Sequence, residues 1–214
     1  MSAKTPSFLR VELLSDASFS CGEPSPGVVD IEIEHDEMGL PFIGGRTLRG
    51  LLRDSWLSMH SCFPGLEDAA ARVLGRCRAL DESCRLRIGN ALPPGPLRQA
   101  VRAALERQIH PLSPGAILRA LTAIRYQTAE DRETGAPAET TLRSSRVALR
   151  GLYFDALLEW LDGYSPTRED LRVLALCALA TRHGGLMRNR GRGHIRVTLD
   201  GNLGMTRKLA EARS

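Results

Sequence analysis

The stretch Arg182-His183-Gly184-Gly185-Leu186-Met187-Arg188-Asn189-Arg190-Gly191-Arg192-Gly193-His194 places four glycines, four arginines and two histidines in thirteen residues. Guanidinium groups at this density offer forked donors to phosphate oxygens. Glycines allow positive φ and close backbone approach to a ligand. The chemistry this pattern can do is anion binding, and a polyanion lying across the loop suits the charge better than one pyrophosphate. Gly191-Arg192-Gly193 follows a helix pattern and opens a strand pattern, the reverse of a dinucleotide-binding loop. No Gly-Lys-Ser/Thr ending makes it a P-loop. The residues nominated here are Gly184, Gly185, Arg188, Asn189, Arg190, Gly191, Arg192 and Gly193. A solvated basic turn between helix and strand would have the same composition, and that reading stands beside the first.

A second segment, Gly39-Leu40-Pro41-Phe42-Ile43-Gly44-Gly45-Arg46-Thr47, brackets large apolar residues with glycine and proline just before a helix pattern. Thr47 has the chemistry of an N-cap. Leu48, Leu51, Leu52, Trp56 and Met59 follow at helical spacing as a core face, while Arg46, Arg49 and Arg53 share another face. Gly44, Gly45, Arg46 and Arg49 therefore make a second candidate phosphate site at a helix N-terminus. An amphipathic helix with a basic solvent face would read the same way.

Other reactive side chains give weaker patterns. His35, His183 and His194 could act as general bases for metal-free phosphodiester cleavage, since imidazole titrates near neutrality. Each also suits a turn, helix-end or strand-edge position. His60, Cys62, Cys77 and Cys84 are four soft ligands within twenty-five residues, but no Cys-x-x-Cys pair is among them, so structural zinc is not expected. No Ser-His-Asp or Cys-His arrangement follows from spacing, and nucleophilic catalysis has no support.

These residues need elements to position them. Phe8–Leu14 alternates as a half-buried strand, with Leu9, Val11 and Leu13 inward. Val28–Glu34 alternates again: Val29, Ile31 and Ile33 inward, Asp30, Glu32 and Glu34 on the wet face. Leu66–Leu74 reads as a short helix, and Cys84–Ile88 as a strand ending at Gly89-Asn90. Leu97–Gln108 and Ala116–Ile124 read as helices of an insertion, and Thr128–Thr141 as a flexible polar loop. Ser145–Trp160 reads as one strand with a bulge at Gly151. Thr167 opens a helix with Asp170 as its capping-box partner. Leu171, Leu174, Ala175, Ala178 and Leu179 form its buried stripe, and Gly184 stops it. His194–Leu199 is the last strand, and Gly204–Ser214 a fraying tail. The order predicts an α+β, ferredoxin-like (RRM-like) βαββαβ domain over 1–214, with helical and loop insertions at about 93–142.

Bulk properties are consistent with this. A chain of 214 residues suits one domain. The net charge of +4 is modest, so clustering matters more than the total. Lysine occurs only at Lys4 and Lys208, leaving the positive charge almost entirely to arginine. No apolar run of membrane-spanning length is present. Five cysteines without a framework spacing predict a reducing, cytoplasmic setting.

Gly39 to Arg53 resembles the glycine-, proline- and arginine-bearing segment that opens the first helix in the repeat-associated mysterious protein (RAMP) superfamily, the RNA-binding subunits of CRISPR effector complexes. Arg182–His194 resembles that superfamily's glycine-rich loop, and Arg143–Phe154 its strand before the second helix. The matches run from about Asp30 to Leu199. Gly44 departs from the pattern, since many relatives carry proline there. Val29-Asp30-Ile31-Glu32 and Thr128–Arg146 look closest to type III members of subtype D. The resemblance implies a ferredoxin-like subunit that holds CRISPR guide RNA by its backbone, through the glycine-rich loop and the first-helix N-terminus. Such contacts position a strand without reading its bases. It implies as partners target RNA, other RAMP subunits and the large signature subunit of the effector, and no membrane. Asp30 lies where some type III backbone subunits carry a catalytic aspartate. If it cleaves RNA, a divalent metal would serve it; otherwise no cofactor is implied. A ferredoxin-like nucleotide- or anion-binding protein unrelated to CRISPR is the reading outside the family.

Overall fold

The computed structural model describes residues 5–20, 22, 28–76, 83–128, 136, 141–161, 163–188 and 191–212. Its elements in chain order are β1 (Phe8–Leu13), α1 (Gly45–Met59), α2 (Glu67–Leu74), β2 (Leu86–Leu92), α3 (Gly95–Leu105), α4 (Pro114–Leu121), β3 (Thr122–Gln127), β4 (Arg143–Ala148), β5 (Tyr153–Trp160), α5 (Arg168–Ala180), β6 (Ile195–Leu199) and α6 (Leu203–Glu211). This is a mixed α/β chain with two antiparallel sheets.

The main sheet has the order β2-β5-β1-β6. Its register sets apolar residues on one face, because alternate side chains point the same way. Val11 lies opposite Phe154 on one side and Val197 on the other. Leu9, Val11, Leu13, Phe154, Ala156 and Leu199 are all fully buried. Against that face pack Leu48, Leu52 and Trp56 of α1 and Val173, Leu174 and Cys177 of α5, in one continuous core. The core stripe of α1 thus falls where its periodicity predicts. The Thr167 capping box also forms as predicted: Thr167 Oγ1 accepts from Asp170 N at 3.2 Å, and Asp170 Oδ2 from Thr167 N at 2.8 Å. Asp170 is fully buried, and Arg72 Nε and the Tyr164 hydroxyl also donate to it.

A second, smaller unit lies between β2 and β5. There β3 pairs with β4, and α3 and α4 close over a cluster of Leu40, Val101 and Ile117. Leu40 comes from the Gly39–Thr47 segment, while Ile43 of that same segment sits in the main core. The segment therefore ties the two units together.

Several local expectations are corrected. The helix expected at Ala116–Ile124 stops at Leu121, and β3 begins at Thr122, whose pairing with Ala148 a propensity argument does not see. The strand expected over Ser145–Trp160 is two strands in different sheets, turning at Arg150 and Gly151. Residues 28–34 form isolated bridges instead of a regular strand, to Ser20 and Ser145 among others. Glu32 is not on a wet face: it is buried, with Arg146 Nε on its carboxylate at 2.7 Å. β2 continues through Gly89-Asn90 with a register shift between Ile88 and Ala91. The C-terminal stretch is the helix α6, capped by Asn202 Oδ1 on Met205 N and held by Leu209 and Ala210 in the core. Most of Thr128–Thr141, expected as a flexible loop, lies outside the described residues.

Candidate nucleic-acid interface

The chain leaves α5 at Ala180, four residues before the expected stop at Gly184, and pairs with its own return into β6. His183 bridges His194 antiparallel, Gly184 N donates to Gly193 O at 2.9 Å, and Ile195 N donates to Arg182 O at 2.9 Å. The neck so formed is fixed to the segment after β1: Leu186 N donates to Ser18 O and Gly193 N to Asp16 O, both at 2.8 Å. Gly193 has φ +71, and a Cβ there would strike the Gly184 carbonyl oxygen. A Cβ on Gly184 would lie 2.9 Å from Leu51 Cδ1 and 3.1 Å from Phe19. These glycines are thus required by protein packing. The imidazoles of His183 and His194 stack, with centroids 5.3 Å apart and planes 22° from parallel.

The arginines of this loop divide in two. Arg182 and Arg188 are exposed, and among the described residues their side chains make no ion pair or side-chain hydrogen bond. They edge an open groove of about 580 Å3 whose other wall is the Leu51-Asp54-Ser58 flank of α1. Arg192 turns inward instead: its Nη1 donates to Ser145 Oγ at 3.0 Å, and its charge acts on Asp16. Asn189 and Arg190 lie outside the described residues.

Asp16 joins the loop to the β3–β4 unit. Its Oδ2 accepts from Arg125 Nη2 at 2.7 Å, and its Oδ1 from Arg150 N at 3.1 Å. Burial would raise this carboxyl, but the Arg125 hydrogen bond, the Arg150 N–H and the charges of Arg125 and Arg192 outweigh it and hold it below the ordinary range.

The second candidate site is arranged differently. α1 starts at Gly45, three residues earlier than a Thr47 cap predicts, because groups outside the helix take its first donors. Glu34 Oε2 accepts from Gly44 N at 3.0 Å, and Asn90 Oδ1 from Gly45 N at 2.9 Å. A carboxylate already occupies the position proposed for phosphate, favoured there by the helix dipole. Gly45 serves packing, since a Cβ would overlap the Ile88 carbonyl oxygen. Arg49 donates to Leu86 O at 2.6 Å. Arg46 is exposed and edges, with Arg53, a separate groove of about 370 Å3. At about 100° per residue, the Arg46-Arg49-Arg53 stripe lies roughly 160° around α1 from the Leu51-Asp54-Ser55-Ser58 stripe. The two arginine-rich motifs therefore flank α1 on opposite sides and do not converge on one pocket.

Asp30 is exposed, and its Oδ2 accepts from Ser144 N at 2.6 Å and Ser144 Oγ at 2.9 Å. These bonds, the backbone one first, hold its carboxyl below the ordinary range. Among the described residues no three His, Cys, Asp or Glu side chains form a metal-ligating group. Of the four soft ligands, Cys77 is outside the described residues, Cys62 is exposed, and Cys84 Sγ contacts Leu86 O at 3.4 Å. No described helix is long and apolar enough to cross a membrane.

Arg182, Asp54, Ser58, Asp16 and Glu34 were not singled out by the sequence reading. Asp54 and Ser58 share a flank of α1, so a helical projection would have found those two, and Arg182 is marked by its place at the opening of the glycine-rich motif. Nothing local marks Glu34 as the cap of α1.

No family model matches the chain, and no curated protein matches it in sequence. Its fold is similar to a chain in the "Cryo-EM structure of the Type III-B Cmr-beta bound to cognate target RNA", with TM-score 0.65 and 11% identity over 98% of this chain and 100% of that one. It is also similar to a chain in the "Type III-B Cmr-beta Cryo-EM structure of the Apo state", with TM-score 0.65 and 12% identity over 92% and 98%. At such identities the likeness is one of fold.

Proposed function

We propose that this chain is a guide-RNA-binding subunit of a type III CRISPR effector complex, non-catalytic, holding the RNA by its sugar–phosphate backbone. The observation that carries this is the pair of exposed guanidinium groups, Arg182 and Arg188, which have no ion-pair partner among the described residues and stand beside an open groove. They stand on a fold shared almost end to end with a chain of an RNA-bound type III complex. Phosphate recognition needs such uncommitted cations, and it is tolerant of sequence.

The strand order β2-β5-β1-β6 and the succession β1-α1-β2-β5-α5-β6 support a ferredoxin-like βαββαβ reading of the main body. In that reading α3, α4, β3 and β4 are the insertion, and the C-terminal α6 is a further addition. RAMP membership rests on the motif resemblance together with this topology. The structural neighbours are type III-B and the motif resemblance points to subtype D, so type III is the level the two share. The partners under this proposal are guide RNA, target RNA, other RAMP subunits and the large signature subunit.

A second reading makes Asp30 the catalytic residue of a target-RNA endoribonuclease. It is favoured by the exposed carboxylate that Ser144 holds in its ionised form. The remaining ligands of a divalent metal would then come from RNA or another chain.

Co-expression with the neighbouring genes, followed by sequencing of the RNA that co-purifies, tests the proposal. Short RNAs sharing a 5′ tag are expected. Protein carrying no RNA, or random RNA, would overturn it in favour of nucleotide or anion binding.

A further inference from the structure

The groove edged by Arg182 and Arg188 is not lined by cations alone. Its far wall, on α1, carries Asp54 and Ser58, and Leu51 and Met59 contribute apolar surface. Its volume of about 580 Å3 falls within the roughly 300–1,000 Å3 of small-molecule sites. Asp54 is exposed, and among the described residues its side chain makes no ion pair or hydrogen bond with Arg182, Arg188 or any other side chain. The Ser58 hydroxyl donates to Asp54 O at 2.9 Å and so turns acceptor lone pairs outward. Opposite two exposed cations the protein thus presents a wall of hydrogen-bond acceptors with apolar surface beside it.

A surface that only followed phosphates would gain nothing from a carboxylate there, since it repels them. A nucleotide matches both walls. Its phosphate meets guanidinium groups, its base lies on the apolar surface, and its base edge meets acceptors. A carboxylate can only accept, so it favours edges that donate. Guanine offers two parallel donors, N1–H and the N2 amine, which fit the two oxygens of one carboxylate. Uracil offers a single N–H flanked by two carbonyl oxygens that the carboxylate repels.

We propose that this groove is a nucleotide seat that reads one base, with guanine as its preferred occupant and Asp54 as the reading residue. The inference rests on the RNA-binding proposal and adds to it, because backbone holding alone predicts no base preference.

The test uses the purified full-length chain with fluorescein-labelled single-stranded RNA: an all-uridine 12-mer, the same RNA with one central guanosine, and the same with inosine there, which lacks the N2 amine. Fluorescence anisotropy is expected to show binding at least fivefold tighter for guanosine than for all-uridine, with inosine between. Asp54→Asn should bring the three RNAs within twofold of each other, with all-uridine binding held or tightened because the carboxylate that repels phosphate has gone, a pattern that misfolding would not produce. Equal affinity of the wild type for all three RNAs, or a guanosine preference that survives Asp54→Asn, overturns the base-reading seat and leaves backbone binding intact. No affinity for any of the RNAs overturns both proposals.

Discussion

α1 carries an arginine-rich motif on each flank, and the two have opposite internal chemistry. On the β2 flank, the helix N-terminus that could have met a phosphate is capped by Glu34 and Asn90, and Arg49 is held by the Leu86 carbonyl. On the α5 flank, the glycine neck is closed by backbone bonds of its own, which leave Arg182 and Arg188 facing solvent. Both motifs read alike as sequence, glycines followed by arginines. What separates them is whether the donors are already satisfied within the protein. A ligand that takes a donor already hydrogen-bonded in the folded chain breaks a protein bond, whereas one that takes an exposed donor displaces only water.

The largest effect should come from the neck itself. Gly193→Ala combines a left-handed backbone with a Cβ driven into the Gly184 carbonyl, and should cost about 3 kcal/mol. Gly50 sits in α1 with open space about it, and Gly50→Ala should instead stabilise by roughly 1 kcal/mol. Thermal or urea unfolding of the two variants measures both. A Gly193→Ala protein as stable as wild type would mean that the neck is looser than drawn here.

The next effect separates the flanks in binding. Arg182→Ala with Arg188→Ala should weaken single-stranded RNA binding by about tenfold or more, and reduce the salt slope by about 1.4 for two lost phosphate contacts. Arg46→Ala with Arg53→Ala should weaken it by less than about threefold at the same ionic strength. Anisotropy titrations at several salt concentrations decide this, and the reverse ranking would move the RNA to the β2 flank.

A smaller effect tests the helix cap. Glu34→Gln keeps an acceptor for Gly44 N but removes the charge from the helix N-terminus, so stability should fall by about 0.5–1 kcal/mol. RNA affinity should hold or rise slightly, since a carboxylate that competes with phosphate has gone. A drop in affinity would show that Glu34 helps to hold RNA.

The smallest effect concerns acid. Asp16 has a folded-state pKa below its unfolded value, so its contribution to stability is full above about pH 4 and is lost as the pH falls through the lowered value. Asp16→Asn should therefore lose part of the wild type's acid dependence below pH 4 and leave its profile above pH 5 unchanged in shape, as followed by unfolding at stepped pH.

Elements with strong internal periodicity were legible in the sequence. The buried stripe of α1, the capped start of α5 and the alternation of β1 and β6 follow from local spacing, and the structure places them within a few residues of expectation. Features that depend on distant partners were not legible. Glu32 reads as a wet-face carboxylate because its alternation is local, yet Arg146, far along the chain, draws it inside. Thr122–Ile124, the first half of β3, reads as the end of a helix because its strand partner lies beyond the polar stretch that follows. At the site, the sequence nominated both arginine motifs but not the division between committed and free side chains. Arg192 stands between Arg188 and the strand as one more cation, and only its approach to Ser145 shows that it braces the loop.

The claim that RNA lies on the α5 flank is tested most directly by photo-crosslinking the wild-type chain to 4-thiouridine-substituted RNA and identifying the linked peptides by mass spectrometry. The account predicts crosslinks in the Arg182–Arg188 stretch and in the Leu57–Met59 end of α1. Crosslinks confined to Gly44–Arg53, with none at the loop, would contradict it.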